Sequence, residues 1–139
     1  MEVLLDTNIL IDILARREPY YENAARIAAL VETRKIEGVV AAASMPTIFY
    51  LVQRKADARA AYHALRWIRG SCVLATCDEK VIYEALDAGW KDFEDAVQYF
   101  SARLAGASCL LTRNKDHFRG SDLPVVSPDE FLAGLEGEL

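Results

Sequence analysis

An apolar run, Val3-Leu4-Leu5, leads into a single carboxylate, Asp6, then through Thr7-Asn8 into a second apolar segment opened by Ile9-Leu10-Ile11. This reads as a buried strand that ends in an acid and is followed at once by a helix. In open α/β sheets ligands bind at the carboxyl ends of strands, and a buried unpaired carboxylate is costly, so Asp6 stands where a functional acid belongs. Its alternative is a helix N-cap. The run Asp92-Phe93-Glu94-Asp95 reads as a first helical turn, with Asp92 and Asp95 three apart and therefore on one face. Phe93, Ala96, Val97 and Phe100 form the expected apolar stripe, which puts Asp95 beside the core. Asp92 divides between N-cap and ligand, and Glu94 is assigned to the favourable placement of an anion at a helix amino terminus. A third segment, Thr112-Arg113-Asn114-Lys115-Asp116-His117-Phe118, runs from a strand into a polar loop. For Asn114 and Asp116 the alternative is turn formation through side-chain-to-backbone bonds.

Carboxylates meeting at one sheet edge repel each other unless a hard divalent cation joins them. Mg²⁺ or Mn²⁺ suits such oxygen donors, and an ion held in this way ionises a water and stabilises an in-line phosphoryl displacement.

The elements that must bring these segments together follow from hydrophobic period and stop signals. Strands are expected near 2–5, 39–43, 72–75, 107–111 and 124–126. Helices are expected from Ile9 to a break at 16–19, over 20–34, from Ser44 with one break to Gly70, after a Thr76–Glu79 capping box to Gly89, over 91–105, and after a capping box at Ser127-Pro128-Asp129-Glu130. Strands alternating with helices imply a parallel sheet covered on both faces, and right-handed crossovers put all the strand carboxyl ends on one edge.

The 139 residues fit one domain with a proper core. No run of about 18 apolar residues suggests a membrane span, and no basic amino-terminal region suggests a secretory signal. The three cysteines have no metal spacing and read as reduced thiols of a cytoplasmic protein. The net charge of −5 argues against polyanion binding by the whole surface. Residues 53–70 nevertheless carry +4 and residues 76–96 carry −5, which fits a metal site beside a phosphate track. Two solvated helix faces are the plainer account of any single charge among them.

Taken together, Leu4-Leu5-Asp6-Thr7-Asn8-Ile9-Leu10, Asp92-Phe93-Glu94-Asp95-Ala96, Thr112-Arg113-Asn114 with Phe118, and Ser127-Pro128-Asp129-Glu130-Phe131 resemble the PIN (PilT N-terminal) domain family, in the branch of toxin ribonucleases of toxin–antitoxin pairs. The resemblance runs nearly end to end. It implies a single-domain three-layer α/β/α fold over 1–139 with a central parallel sheet of about five strands. It also implies Mg²⁺- or Mn²⁺-dependent cleavage of RNA, a cognate antitoxin and a homodimer. On this reading Asp6 and Asp95 hold the metal, Asp92 supports them, Asp116 with Asn114 positions a water, and Arg113, Lys115, Arg54 and Lys55 are candidate phosphate contacts.

Two positions depart from the family pattern. The usual Glu early in the helix after strand two is absent from Ser44-Met45-Pro46-Thr47-Ile48-Phe49-Tyr50, and Asp57 is too far along to replace it. His117 stands where an Asp often precedes the Phe, with Asp116 one place earlier. These departures leave room for a rival: a catalytically weak PIN-fold module that binds RNA or a protein without cutting. A phosphohydrolase of another Rossmann-like fold ranks last, since Thr7-Asn8 follows Asp6 where an Asp-x-Asp pair is needed.

Overall fold

Val3-Leu4-Leu5, Val39-Val40 and Cys109-Leu110-Leu111 offer no polar face, and all of them are buried in strands covered on both sides. The computed structural model describes residues 1–138, so the domain read over 1–139 ends one residue outside the described chain. Five parallel strands, β1 (Glu2–Leu5), β2 (Glu37–Ala41), β3 (Cys72–Ala75), β4 (Cys109–Leu111) and β5 (Val125–Val126), lie in the order β3-β2-β1-β4-β5. Seven α-helices flank them among the described residues: α1 (Thr7–Leu14), α2 (Tyr21–Glu32), α3 (Met45–Lys55), α4 (Ala58–Ser71), α5 (Glu79–Ala88), α6 (Phe93–Ala105) and α7 (Pro128–Glu138). None is long and apolar enough to cross a membrane.

Strand alternation divides the core. Val3, Leu5, Val40 and Leu111 pack with apolar residues of α1, α2, α3, α4 and α7. Leu4, Val39 and Leu110 face the other way, onto Tyr99 and Ala102 of α6. Asp6 and Thr112 follow Leu4 and Leu110 by two residues, so the same parity turns both toward α6. The chain leaves β1 for β2 on one side and returns to β4 on the other, so the β1 and β4 ends form the crevice of a topological switch point.

α1 begins at Thr7 rather than Ile9, β2 ends at Ala41 rather than 43, where a 3-10 turn (Ala42–Ser44) follows, and β4 begins at Cys109 rather than 107; other boundary differences have identifiable causes. β2 begins at Glu37, because Gly38 is a strand residue rather than part of a turn. A Cβ there would come within 3.1 Å of Cys72 Sγ and 3.3 Å of Leu5 Cδ1, so these side chains would have to give by a few tenths of an ångström to admit a larger residue. α4 passes through Gly70 to Ser71. α5 is capped by Asp78, whose Oδ1 accepts from the Val81 N–H at 2.9 Å, and not by Thr76. The Ser127 cap is present, with Oγ accepting from the Glu130 N–H at 3.2 Å.

Asp12 on α1 is 1% exposed and carries two cations. Arg17 Nε lies 2.8 Å from its Oδ1, and Arg113 Nε lies 2.7 Å from its Oδ2. The Arg113 guanidinium also sits 3.6 Å above the Tyr20 ring centroid. The group ties α1 to the loop after β4 and so fixes the crevice from behind. Breaking a buried pair from one side strands the remaining charge. Asp12→Ala is expected to lower unfolding free energy by about 3 kcal/mol in a urea titration, because two partly buried guanidiniums lose the carboxylate they share. A loss below about 0.5 kcal/mol, the size of an ordinary surface substitution, would show that the triad does not hold the loop.

Candidate metal centre

Asp6 begins at the end of β1, where its N–H donates to Leu111 O at 3.0 Å. Its carbonyl accepts from Ile9 and Leu10, but its side chain caps nothing. The carboxylate is 4% exposed and fully engaged across the crevice. Gln98 Nε2 donates to Oδ1 at 3.0 Å, and Thr112 Oγ1 donates to Oδ2 at 2.8 Å. The N-cap alternative for this residue is therefore closed.

Gln98 is the residue that the sequence reading missed. It is 1% exposed on the core face of α6, one turn after Asp95. Its Nε2 also donates to Asp95 Oδ1 at 3.4 Å, and its Oε1 accepts from the Thr7 N–H at 3.2 Å. One amide thus joins both acids to the first turn of α1. The available signal was a polar residue at a core-facing helical position, three after an acid.

Asp95 is 8% exposed, and its Oδ2 has no hydrogen-bond partner. His117 Nδ1 stands 3.1 Å from that oxygen but is not aligned to donate to it. Burial first, then the negative charges of Asp6 and Asp92, push the Asp95 carboxyl up to about 7, against the opposing pull of His117.

Glu94 also faces the site, whereas the sequence reading gave it to the helix dipole. Its Oε1 accepts from Thr7 Oγ1 at 3.3 Å and its Oε2 from Thr47 Oγ1 at 3.5 Å. Burial, and behind it the charges of Asp92 and Asp6, raise its pKa against those hydrogen bonds. Of the expected apolar stripe, Ala96 and Val97 are buried and Phe100 packs against them, but Phe93 is 46% exposed, and Tyr99 and Ala102 extend the core-facing side. The helix is rotated so that Glu94 and Asp95 both look into the crevice. Thr47 occupies the stretch of α3 that lacks a carboxylate, and Glu94 reaches it from α6.

The other expected residues are distributed unevenly. Asp92 is exposed and caps α6, its Oδ1 accepting from the Asp95 N–H at 3.0 Å. Asn114 enters through its backbone, its N–H donating to Thr112 Oγ1 at 2.9 Å and so bracing the hydroxyl that holds Asp6. Lys115–Phe118 forms a 3-10 turn anchored by buried Phe118; it brings the half-exposed His117 to 3.1 Å from Asp95 Oδ2 and holds Asp116 exposed, 3.2 Å from Arg119 Nη2, on a cavity wall shared with Asp92. Arg113 is spent on Asp12 and Tyr20, and Lys115 Nζ lies 2.9 Å from Glu130 Oε1. Arg54 and Lys55 sit in the last turn of α3, about 10 Å along the helix from Thr47.

An acid whose folded pKa is raised binds its proton more tightly in the native state. Its contribution to stability is complete below the unfolded value of 3.8 and declines as pH rises through about 7. Metal-free protein should therefore lose melting temperature across that window. Asp95→Asn should remove this part of the decline and melt above wild type beyond pH 7. Parallel pH profiles for the two proteins would show that Asp95 is not held neutral by the site.

Comparison with known proteins agrees with this architecture. Ribonuclease VapC1 of Aquifex aeolicus (strain VF5) is 22% identical over 135 residues, covering 94% of this chain and 92% of that protein. The toxin–antitoxin complex from Klebsiella pneumoniae contains a chain with TM-score 0.67 and 22% identity, covering 91% of this chain and 97% of that one. VapC20 of Mycobacterium tuberculosis, described as a sarcin-ricin loop cleaving toxin, superposes with TM-score 0.65 and 16% identity over 78% of this chain and 86% of its own. A family model of the PIN domain matches residues 2–116, from β1 to the turn that presents His117. The acids meet where that fold reverses the direction of its sheet, and the chain belongs to the PIN domain family.

Proposed function

We propose that this PIN domain is a divalent-metal-dependent endoribonuclease and the toxin of a toxin–antitoxin pair. The observation that carries the reading is the pair of buried carboxylates, Asp6 and Asp95, joined by one amide, with Asp95 Oδ2 buried beside His117 Nδ1 but hydrogen-bonded to nothing among the described residues. A buried acid without a partner is destabilising, and sites of this kind are where function is found. The similarity to a protein named as a ribonuclease and to a chain from a toxin–antitoxin complex supports the activity and the partner.

The donor set suits a hard cation. Among the described residues no three acids, histidines or cysteines stand close enough to enclose an ion unaided. Mg²⁺ ordinarily takes only one or two carboxylates and completes its shell with water and substrate phosphate, so Asp6 and Asp95 suffice as anchors, with Asp92 and Glu94 adjoining. When bound, the ion supplies a nucleophilic water and charge stabilisation for phosphodiester hydrolysis. Gln98 fixes the separation of the two anchors, and Thr112 keeps Asp6 in one rotamer. His117 offers a ring nitrogen beside Asp95 for proton exchange with solvent. Glu94 supplies from α6 the carboxylate that α3 lacks. Asp116 and Asn114 flank the site and position water only through the loop they shape. An antitoxin would block this centre by inserting a basic side chain among the acids, and the active species would be a homodimer.

Purified protein should cleave single-stranded RNA with Mg²⁺ or Mn²⁺ and not with chelator. Mn²⁺ should raise its melting temperature, since a ligand bound only by the native state stabilises it. Asp6→Asn should abolish both effects while retaining the fold. Glu94→Gln should lose most of the cleavage, and Asp116→Ala should keep most of it. RNA binding without cleavage under either ion would establish the non-cutting module instead. Equal Mn²⁺ stabilisation of wild type and Asp6→Asn would remove Asp6 from the centre.

A further inference from the structure

Two neighbouring carboxylates can hold a pair of divalent ions about 3.5–4 Å apart, each acid giving one oxygen to each ion. In this crevice one of those two positions is already filled. Asp6 Oδ1 and Asp95 Oδ1 converge on a single atom, Gln98 Nε2, at 3.0 and 3.4 Å. An amide nitrogen carries two hydrogens, and one goes to each acid. The nitrogen therefore stands where an ion bridging the two Oδ1 atoms would stand, and it presents a positive pole to both. The other two oxygens are treated differently. Asp6 Oδ2 accepts from Thr112 Oγ1 at 2.8 Å, and Asp95 Oδ2 is buried with no hydrogen-bond partner among the described residues.

The amide is held in place. Gln98 is 1% exposed, and its Oε1 accepts from the Thr7 N–H at 3.2 Å. That N–H opens α1, where the helix itself offers it no carbonyl. Turning the amide away would leave this donor and both Oδ1 atoms buried without their partner, which is the costly side of hydrogen bonding. Flipping it end for end would set its carbonyl oxygen against two carboxylates and its NH₂ against the Thr7 N–H, so one orientation fits. Among the described residues no three acids, histidines or cysteines group closely enough to hold an ion by themselves. A second ion would have to share the two acids of the first.

We propose that Gln98 sets the number of ions at the acid centre: its amide permanently occupies the inner position between Asp6 and Asp95, and it limits the centre to one divalent ion, bound through Asp95 Oδ2 and the groups beside it. The inference rests on the metal-dependent reading above and adds to it the stoichiometry and the residue that determines it. The positive pole that a second ion would supply between the acids comes from the protein instead.

Mn²⁺ tests this without reference to activity, because it is counted by calorimetry and two such ions about 3.5–4 Å apart couple their electron spins. Wild-type protein should bind one Mn²⁺ per chain and give an uncoupled paramagnetic resonance spectrum. Gln98→Glu keeps an acceptor for the Thr7 N–H and replaces the nitrogen by a carboxylate oxygen. It should bind a second Mn²⁺ and show a broadened, coupled spectrum. Gln98→Ala empties the inner position. Without metal it should melt below wild type, and it should take up a second, weaker Mn²⁺, so that saturating Mn²⁺ raises its melting temperature more than that of wild type. If Gln98 only braces α6 against α1, Gln98→Ala will melt lower without metal while both variants still bind one Mn²⁺. That result overturns the proposal and leaves the metal-dependent reading intact, as does a coupled pair of ions in wild type. If Gln98→Glu fails to fold, the stoichiometry of Gln98→Ala decides between the same outcomes. If wild type binds no Mn²⁺, both readings fall.

Discussion

Two carboxylates buried beside each other are an unstable arrangement, and the crevice of this protein is organised around tolerating them. Gln98 donates to Asp6 and Asp95 from one amide nitrogen and receives the Thr7 N–H on its oxygen. Thr112 takes the remaining oxygen of Asp6. What stays unresolved is Asp95 Oδ2, buried with no hydrogen-bond partner. Apolar packing positions the strands and helices, and this residual imbalance is the feature on which the proposed cation site rests. A fully satisfied polar network would stabilise the fold and leave nothing for a ligand to do.

The fold sets up that imbalance by parity and topology. Because β1 and β4 are neighbours, their alternate residues, Leu4 with Asp6 and Leu110 with Thr112, emerge on the same face toward α6. Because the strand order reverses there, the chain leaves β1 and β4 toward opposite sides and a crevice forms between their carboxyl ends. The Asp12–Arg17–Arg113 group reinforces the crevice from the opposite side of β1. Cations near the site are thereby divided. Arg113 and Lys115 serve the scaffold, whereas Lys91 and Arg119 remain facing solvent beside Trp90.

Much of this was legible in the sequence. The run from Val3 to Ile11 states a strand end, an acid and a helix start in nine residues, and each of the five strands overlaps the apolar run expected to form it, β2 beginning two residues early. Asp95 was legible from its position beside helical apolar residues. The failures concern facing rather than existence. Each helical residue turns about 100°, so reading Phe93 as core misdirected Glu94 by one position and hid its approach to Thr7 and Thr47. In the loop after β4, the 3-10 turn is set by the burial of Phe118, which only tertiary packing reveals, and it brings His117 rather than Asp116 to 3.1 Å from Asp95. Gln98 escaped notice because an amide at a core position has no chemical signature until its two acids are seen around it.

The central claim is that Asp6 and Asp95 form a cation site whose charge is balanced only by a bound ion. The most direct measurement is calorimetric titration of Mn²⁺ into the protein at pH 6.5 in buffers of different ionisation enthalpy, which counts the protons released on binding. The acids of such a site must ionise to bind metal, so the account predicts binding with release of a substantial fraction of a proton, and loss of that release in Asp95→Asn. Mn²⁺ binding at wild-type strength with no proton release, or with the same release from Asp95→Asn, would contradict it.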